Sequence, residues 1–286
     1  MTNNTPTRKR LFDECAALLN IAGKDEAEFD TLCIFQDMLG DRNPLFRPLE
    51  AVPQDKAELI LSAVKRRAKG EPLQYILGEW EFYGLRFKVG EGVLIPRPDT
   101  ETLVDQTLDI CRENGMSSPV IADLCSGSGC IAIALRHELP GAEVYAAELS
   151  DKALGYLKQN KELNRSGIHI VKADVLDKAS LSLFPTADII VSNPPYLTAK
   201  DMSELQTEVA REPETALYGG TDGLDFYRRM TGLWKEKLRP GGWLVYEFGM
   251  GQHDDVKNIL EAAGFTNVCF RRDGGGIIRT AAAVKS

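Results

Sequence analysis

Asn193-Pro194-Pro195-Tyr196 is the stretch of this chain whose residue types could do specific chemistry. A planar NH2 attached to a carbonyl or an aromatic ring has two in-plane hydrogens. Its lone pair is spread into the π system, so it is a poor nucleophile. The Asn193 side-chain oxygen can accept one of those hydrogens, and the backbone carbonyl of Pro194 the other. Tyr196 can lie against the flat face of the group. Held this way, the nitrogen aims its third direction at an electrophile and can pyramidalise as it reacts. That is catalysis by orientation and electrostatics, and it needs no strong general base. The bland alternative is an Asn-Pro turn without a ligand.

A second group of residues reads as a cofactor site. Asp123-Leu-Cys-Ser-Gly-Ser-Gly129 follows a strand and opens a helix. Its small residues, Cys125, Ser126, Gly127, Ser128 and Gly129, let a ligand approach the backbone, and the helix start offers free N–H groups. The run is not GxGxxG, so a phosphate loop is a weak match. Glu148 ends the next strand, about 20 residues on, where a carboxylate can take both hydroxyls of a ribose. Its bland reading is a strand-end charge. Asp174 ends the third strand, where it could accept an adenine amino group or cap a helix. A ribose carboxylate without a phosphate loop fits S-adenosylmethionine, whose positive sulfonium favours carbonyls and carboxylates. Asp123 could answer the amino-acid end of that cofactor, directly or through water.

The elements that must position these residues alternate from Val120 onward. Strands are expected over 120–124, 142–149, 168–173, 188–192 and 243–248, helices over 130–138, 151–164, 223–238 and 253–263, and a final strand pair over 265–272 and 277–284. This is the mark of a doubly wound parallel sheet. Ile189, Ile190 and Val191 suit a strand buried on both faces. The prolines that follow end it as a stiff loop at a carboxyl end, where open sheets of this kind bind ligands. A long connection, 197–221, is a candidate substrate loop.

Upstream, residues to about Lys69 read as helices. Leu11, Cys15, Leu18 and Leu19 share one face. Phe29, Leu32, Cys33 and Phe35 share another, and Leu59, Ile60, Ala63 and Val64 a third. Trp80 to Val89 suggests a β-hairpin around Gly84. Asp99 or Thr100 is expected to cap a helix from Glu101. Arg97 stands between two prolines, either as a linker charge or as a fixed functional group. The expected division is a helical substrate-recognition domain over 1–75, a hairpin and connecting helix over 76–117, and a catalytic domain over 118–286.

The totals narrow the function. The chain has 286 residues, 34 basic and 42 acidic, for a net charge of −8, which argues against bulk affinity for nucleic acid. The opening MTNNTPTRKR lacks the apolar run of a secretory signal, and no stretch approaches the ~20 apolar residues of a membrane span. Six cysteines form no CxxC pair and three histidines are scattered, so reduced thiols in a cytoplasmic protein without a metal are expected.

Together, DLCSGSG, Glu148, Asp174 and NPPY look like a class I S-adenosylmethionine-dependent methyltransferase acting on a planar NH2. IPRPDTE (Ile95 to Glu101), EPLQYILG, NPPYL and REPETALYGGTDGLDFYR narrow this further. With them the chain, from Glu71 onward, resembles the HemK/PrmC family of protein-(glutamine-N5) methyltransferases. The resemblance implies a Rossmann-like, mostly parallel seven-stranded sheet. It implies S-adenosylmethionine as cofactor, with S-adenosylhomocysteine as product, and peptide chain release factors as partners. Cys125 to Gly129, Glu148, Asp174, Val175 and Asn193 would bind the cofactor. Asn193 to Tyr196 would hold the glutamine of a Gly-Gly-Gln loop, with Arg97 near the substrate mouth. Cys125 stands where that family often has glycine, Glu148 where it often has aspartate, and Val175 where some members have an aromatic. The rival acceptors are a ribosomal-protein glutamine and an adenine of DNA or RNA.

Overall fold

The computed structural model describes residues 5–286. Residues 1–4, where the first expected domain and the stretch read for a secretory signal begin, lie outside the described residues. The chain divides into two compact units: residues up to Gly78 with Gln206–Arg211, and Glu79–Leu205 with Glu212–Ser286.

The first unit holds α1 (Arg8–Ile21), α2 (Ala27–Leu39), α3 (Gln54–Ala68) and the short α4 (Leu73–Leu77). Thr7 caps α1 by accepting from the Arg10 N–H, and Gly40 closes α2 in the left-handed conformation that glycine adopts without strain. Leu11, Leu19, Ile34, Phe35, Ile60 and Val64 form its core. Three apolar positions expected inside are outside: Leu18 is 44% exposed, Phe29 50% and Leu59 50%. The reason in α2 is electrostatic. It turns Ala27, Asp30, Thr31, Ile34 and Phe35 inward, and Asp30 meets the Arg67 guanidinium of α3 at 2.6 Å. A buried carboxylate needs such a partner, and its position selects the stripe that faces in. Glu208, in the returning segment, accepts from Arg67 at 2.6 Å and Lys24 at 2.5 Å. Burial pushes its carboxyl up, but the hydrogen bonds from Lys24 and Arg67 outweigh it and bring it down to about 2.

The second unit opens with a hairpin of β1 (Glu79–Phe82) and β2 (Leu85–Lys88), turned at Tyr83 and Gly84. Then follow α5 (Glu101–Glu113), β3 (Val120–Leu124), α6 (Cys130–Glu138), β4 (Glu143–Glu148), α7 (Asp151–Leu163), β5 (His169–Lys172) and β6 (Ala187–Ser192). After the short α8 (Ala199–Ser203) come α9 (Asp225–Trp234), β7 (Leu238–Glu247), α10 (His253–Ala262), β8 (Phe265–Arg272) and β9 (Ile278–Lys285). The seven-stranded sheet has the order β5-β4-β3-β6-β7-β9-β8. Its first five strands pair in parallel, and β9 runs antiparallel to both neighbours. It is the doubly wound, mostly parallel sheet that the alternating pattern predicts.

Strand residues alternate between two cores. Ile121, Ile189, Val191 and Val245 face α5, α6 and α7. Leu124, Ile190, Leu244 and Tyr246 face α9 and α10, beside Trp234 and Tyr227. Strand β7 starts at Leu238 rather than at Trp243, because Pro240-Gly241-Gly242 is carried through a register shift against β6. Strands β3 and β6 are adjacent at the point where the order reverses, and ligand crevices of doubly wound sheets open there.

Candidate active site

A cavity of about 650 Å³ opens at the carboxyl ends of β3, β4, β5 and β6, ample for a nucleoside-sized ligand. Ten of the residues singled out in the sequence line it: Arg97, Cys125, Ser126, Gly127, Ser128, Glu148, Asp174, Val175, Asn193 and Pro195. Asp123, Gly129, Pro194 and Tyr196 do not. Leu94, Pro96, Thr100 and the stretch Pro213 to Ala216 also border it.

The small-residue turn is shaped by its backbone. Cys125, Gly127 and Gly129 all have positive φ, at 63°, 55° and 82°. A non-glycine residue at Cys125 pays a steric cost there, which is the physical reason glycine suits the position. A Cβ on Gly127 would meet nothing within 4 Å, so it faces open cavity. A Cβ on Gly129 would lie 2.1 Å from Leu157 Cδ1, so that glycine packs the turn against α7. Asn160, fully buried on α7, donates to the carbonyls of Ser128 at 2.9 Å and Lys88 at 3.0 Å, tying the turn to the hairpin.

Glu148 is held by backbone alone. Its Oε2 accepts from the Gly127 N–H at 2.8 Å, and its Oε1 from Leu149 at 2.8 Å and Ser150 at 2.7 Å. Oε1 already accepts two hydrogens, and Oε2 keeps a lone pair for a hydroxyl donor. Asp174 is exposed and accepts from the Leu176 N–H at 2.8 Å. Trp234 Nε1 donates to the Val175 carbonyl at 2.8 Å and fixes that backbone from beneath. Asp123 is fully buried, and neither of its carboxyl oxygens has a hydrogen-bond partner of good geometry among the described residues. Burial pushes its carboxyl up to about 7, against a downward pull from Ser126 and the Ala132 N–H; nearby Glu148 adds to the rise. An orphaned buried carboxyl, an open glycine cradle and a carboxylate at a strand end form a donor and acceptor set that fits S-adenosylmethionine.

On the other side of the cavity, Asn193 Nδ2 donates to Thr100 Oγ1 at 3.2 Å. Thr100 and Asp99 therefore do not act as the expected cap of α5: no side-chain cap is made, Thr100 is turned to Asn193, and Asp99 pairs with Arg279 at 3.1 Å. Tyr196 is half-buried, and its carbonyl accepts from Gln252 Nε2 at 3.1 Å. Gln252 also accepts from the Gly249 N–H at 2.8 Å. Burial holds the Tyr196 hydroxyl above its ordinary range. Glu212 is buried and takes the Ile95 N–H at 2.9 Å and the Arg97 guanidinium, fastening Ile95-Pro96-Arg97 to the connection after β6. That connection is also pinned to the NPPY exit, where Leu197 and Gly219 exchange backbone bonds with Leu217 and Leu197.

Sequence reasoning missed Thr100 as a partner of Asn193, and gave no role to Glu212, Gln252, Asn160 or Glu247. A usable signal existed for Glu247, a charge inside the apolar run LVYEF. Among the described residues no group of three or more His, Cys, Asp or Glu is placed to hold a metal ion. No helix among them is long and apolar enough to cross a membrane.

The sheet order and the cavity at its switch point are those of a class I S-adenosylmethionine-dependent methyltransferase. Residues 102–220 match the methyltransferase small domain, and residues 10–78 match the PrmC N-terminal domain. Two solved structures share the fold. A methyltransferase from Pyrococcus furiosus aligns with a TM-score of 0.53 at 17% identity, over 82% of this chain and 100% of that one. A 16S rRNA methyltransferase from T. Thermophilus, in complex with AdoMet and guanosine, aligns with a TM-score of 0.52 at 18% identity, over 73% and 50%. The chain is 38% identical to the release factor glutamine methyltransferase of Fusobacterium nucleatum subsp. nucleatum, over 96% of this chain and 78% of that protein. It is 38% identical to that of Geobacter sulfurreducens, over 96% and 95%. The chain belongs to the release factor glutamine methyltransferase family.

Proposed function

We propose that this enzyme transfers a methyl group from S-adenosylmethionine to the side-chain amide nitrogen of the glutamine in the Gly-Gly-Gln motif of peptide chain release factors. The observation that carries the reading is that Asn193, at the exit of β6, lines the same cavity as the small-residue turn and Glu148. The cofactor, when bound, supplies an electrophilic methyl group on a positive sulfonium.

This chain's residues would act as follows. Glu148 accepts from the ribose hydroxyls through Oε2, and the turn from Cys125 to Gly129 gives close approach to the rest of the cofactor. Asp123 answers its amino-acid end. Asp174 and the Val175 backbone border the base. Asn193 Oδ1 and the Pro194 carbonyl accept the two amide hydrogens, Pro195 and Tyr196 bound the substrate, and Arg97 stands at the mouth. As the nitrogen gains a methyl group it would lose one hydrogen as a proton to water, while Asn193 Oδ1 and the Pro194 carbonyl would hold the amide in place by accepting hydrogen bonds. Orientation does this work, so no metal enters the reaction. The helical unit that matches the PrmC N-terminal domain would dock the protein substrate. The setting would be the cytoplasm, where release factors act, with no direct contact to nucleic acid or membrane.

Labelled methyl transfer tests the reading, offered in parallel to a release factor, its Gly-Gly-Gln→Gly-Gly-Ala variant, a ribosomal protein and duplex DNA. Label on the release factor that disappears in the variant is the expected result. Label on DNA or the ribosomal protein, or equal label on both release-factor forms, would move the acceptor elsewhere.

A further inference from the structure

An asparagine amide is nearly symmetric in shape, and its two ends are opposite in chemistry. The proposed role of Asn193 requires Oδ1 toward the cavity and NH2 away from it. Turned over, Asn193 would present a donor to a donor. Something behind the residue must select one orientation.

Two side chains stand there. Thr100 is 2% exposed, and its hydroxyl accepts from Asn193 Nδ2 at 3.2 Å. A hydroxyl both donates and accepts, so it would serve either orientation. Glu247 is 1% exposed at the end of β7. Strand β7 pairs in parallel with β6 so that Tyr246 lies opposite Ser192, which brings Glu247 level with Asn193. Thr100 and Asn193 both stand close enough to its carboxyl to favour the charged form, and Oε2 has no hydrogen-bond partner among the described residues. An ionised carboxylate accepts only. It therefore tolerates only the orientation in which Asn193 turns its NH2 inward.

We propose that Glu247 is a positioning residue that sets the orientation of the Asn193 amide, leaving Oδ1 free for the substrate amide. The inference rests on the reading of Asn193 as the acceptor of substrate hydrogens. Glu247 takes no part in the chemistry itself.

The arrangement carries a pH dependence. Burial raises the Glu247 carboxyl to about 7, opposed by Thr100, Arg279 and Asn193, with Asp99 adding to the rise. Arg279, on β9, is shared with Asp99 and Asp273 at 3.1 Å each, so it does not neutralise Glu247 outright. The other titratable groups in its field are Tyr196 after β6, Tyr227 on α9 and Cys130 on α6. Above its midpoint Glu247 is ionised and selects one orientation. Below it, the protonated carboxyl can donate to Asn193 Oδ1 as well, and the selection is lost.

The test uses the full chain and its Glu247→Gln and Thr100→Val variants. Their kcat, KM and cofactor Kd are measured on the release factor across neutral pH, and the Asn193 side-chain 15N–1H resonances are followed in asparagine-labelled protein. Wild-type kcat should fall as pH falls through about 7. Glu247→Gln should lose roughly tenfold or more in kcat, with cofactor Kd unchanged and a flat profile. Thr100→Val should lose less. The Asn193 resonances should titrate in the wild type and not in Glu247→Gln. A wild-type kcat or unaltered profile in Glu247→Gln, or a larger loss in Thr100→Val, overturns the proposal. If the wild type methylates no release factor, the proposed function fails by itself. The resonances then decide alone, and an Asn193 signal that ignores pH or the Glu247 substitution overturns the inference.

Discussion

The two sides of the cavity are built by different means. On the cofactor side, Glu148 is fixed by three backbone N–H groups, the most distant of them 21 residues away in the chain. On the acceptor side, Asn193 and Tyr196 are held by side chains, Thr100 at a separation of 93 residues and Gln252 at 56. Backbone donors at strand ends come with the fold and survive most changes of side chain. Side-chain partners exist only if particular residues arrive from other elements. The cofactor side should therefore respond mainly to changes at the ligand-touching residues themselves. The acceptor side should also respond to residues that never touch substrate.

The largest effect should come from Asn193→Ala. It removes an oriented acceptor, so kcat should drop on the order of 10²- to 10³-fold. Cofactor Kd should stay unchanged by calorimetry, since the Glu148 side is independent. An equal loss of cofactor affinity would break the division between the two sides. Glu148→Ala should be next, raising cofactor Kd about 10- to 100-fold, roughly 1.4–2.8 kcal/mol. Unaltered binding would remove the ribose role. Gln252→Ala cuts the link between the Tyr196 carbonyl and the Gly249 N–H, and should lower kcat by about threefold to tenfold while leaving cofactor Kd alone. If kcat does not move, the side-chain scaffolding of the acceptor side is passive.

The same division explains what could be read in the sequence. The small-residue turn, Glu148 and NPPY are local signals, because each follows a strand and the strand itself is written in a short apolar run. The sheet was legible for the same reason: Ile189, Ile190 and Val191 declare burial on both faces without help from elsewhere. Thr100 was not legible as an active-site residue. Its local context is that of a helix start, and only the fold brings it against Asn193. Glu212 and Gln252 lie in irregular segments whose partners are backbone groups of distant loops. The inward face of α2 was misread because a buried ion pair, Asp30 with Arg67, overrides the apolar pattern and turns Phe29 outward. Hydrophobic periodicity has no means of anticipating a charge that is buried with its partner.

Asp123 sharpens the comparison from the stability side. It belongs to the cofactor side, yet among the described residues it finds no hydrogen-bond partner of good geometry, and burial takes it up to about 7. The sign follows from linkage. A carboxyl whose folded value lies above its unfolded one, near 3.8, binds its proton more tightly in the folded state. Its contribution to stability is complete below the unfolded value and is lost as pH rises through the folded value. Glu247, raised from 4.5 to about 7, acts in the same direction. The cofactor-free enzyme should therefore melt at a higher temperature in mildly acidic buffer than in mildly alkaline buffer. Glu208, already ionised throughout that window, does not oppose the trend. Asp123→Asn keeps the shape and removes the charge. It should raise stability by on the order of 1 kcal/mol above neutral pH, with the gain vanishing toward pH 5, while weakening cofactor binding. A series of melting curves across this range is the measurement. A variant no more stable than wild type in alkaline buffer would mean that the Asp123 charge is already compensated in the folded enzyme, and that the cofactor side holds no strained group for its ligand to relieve.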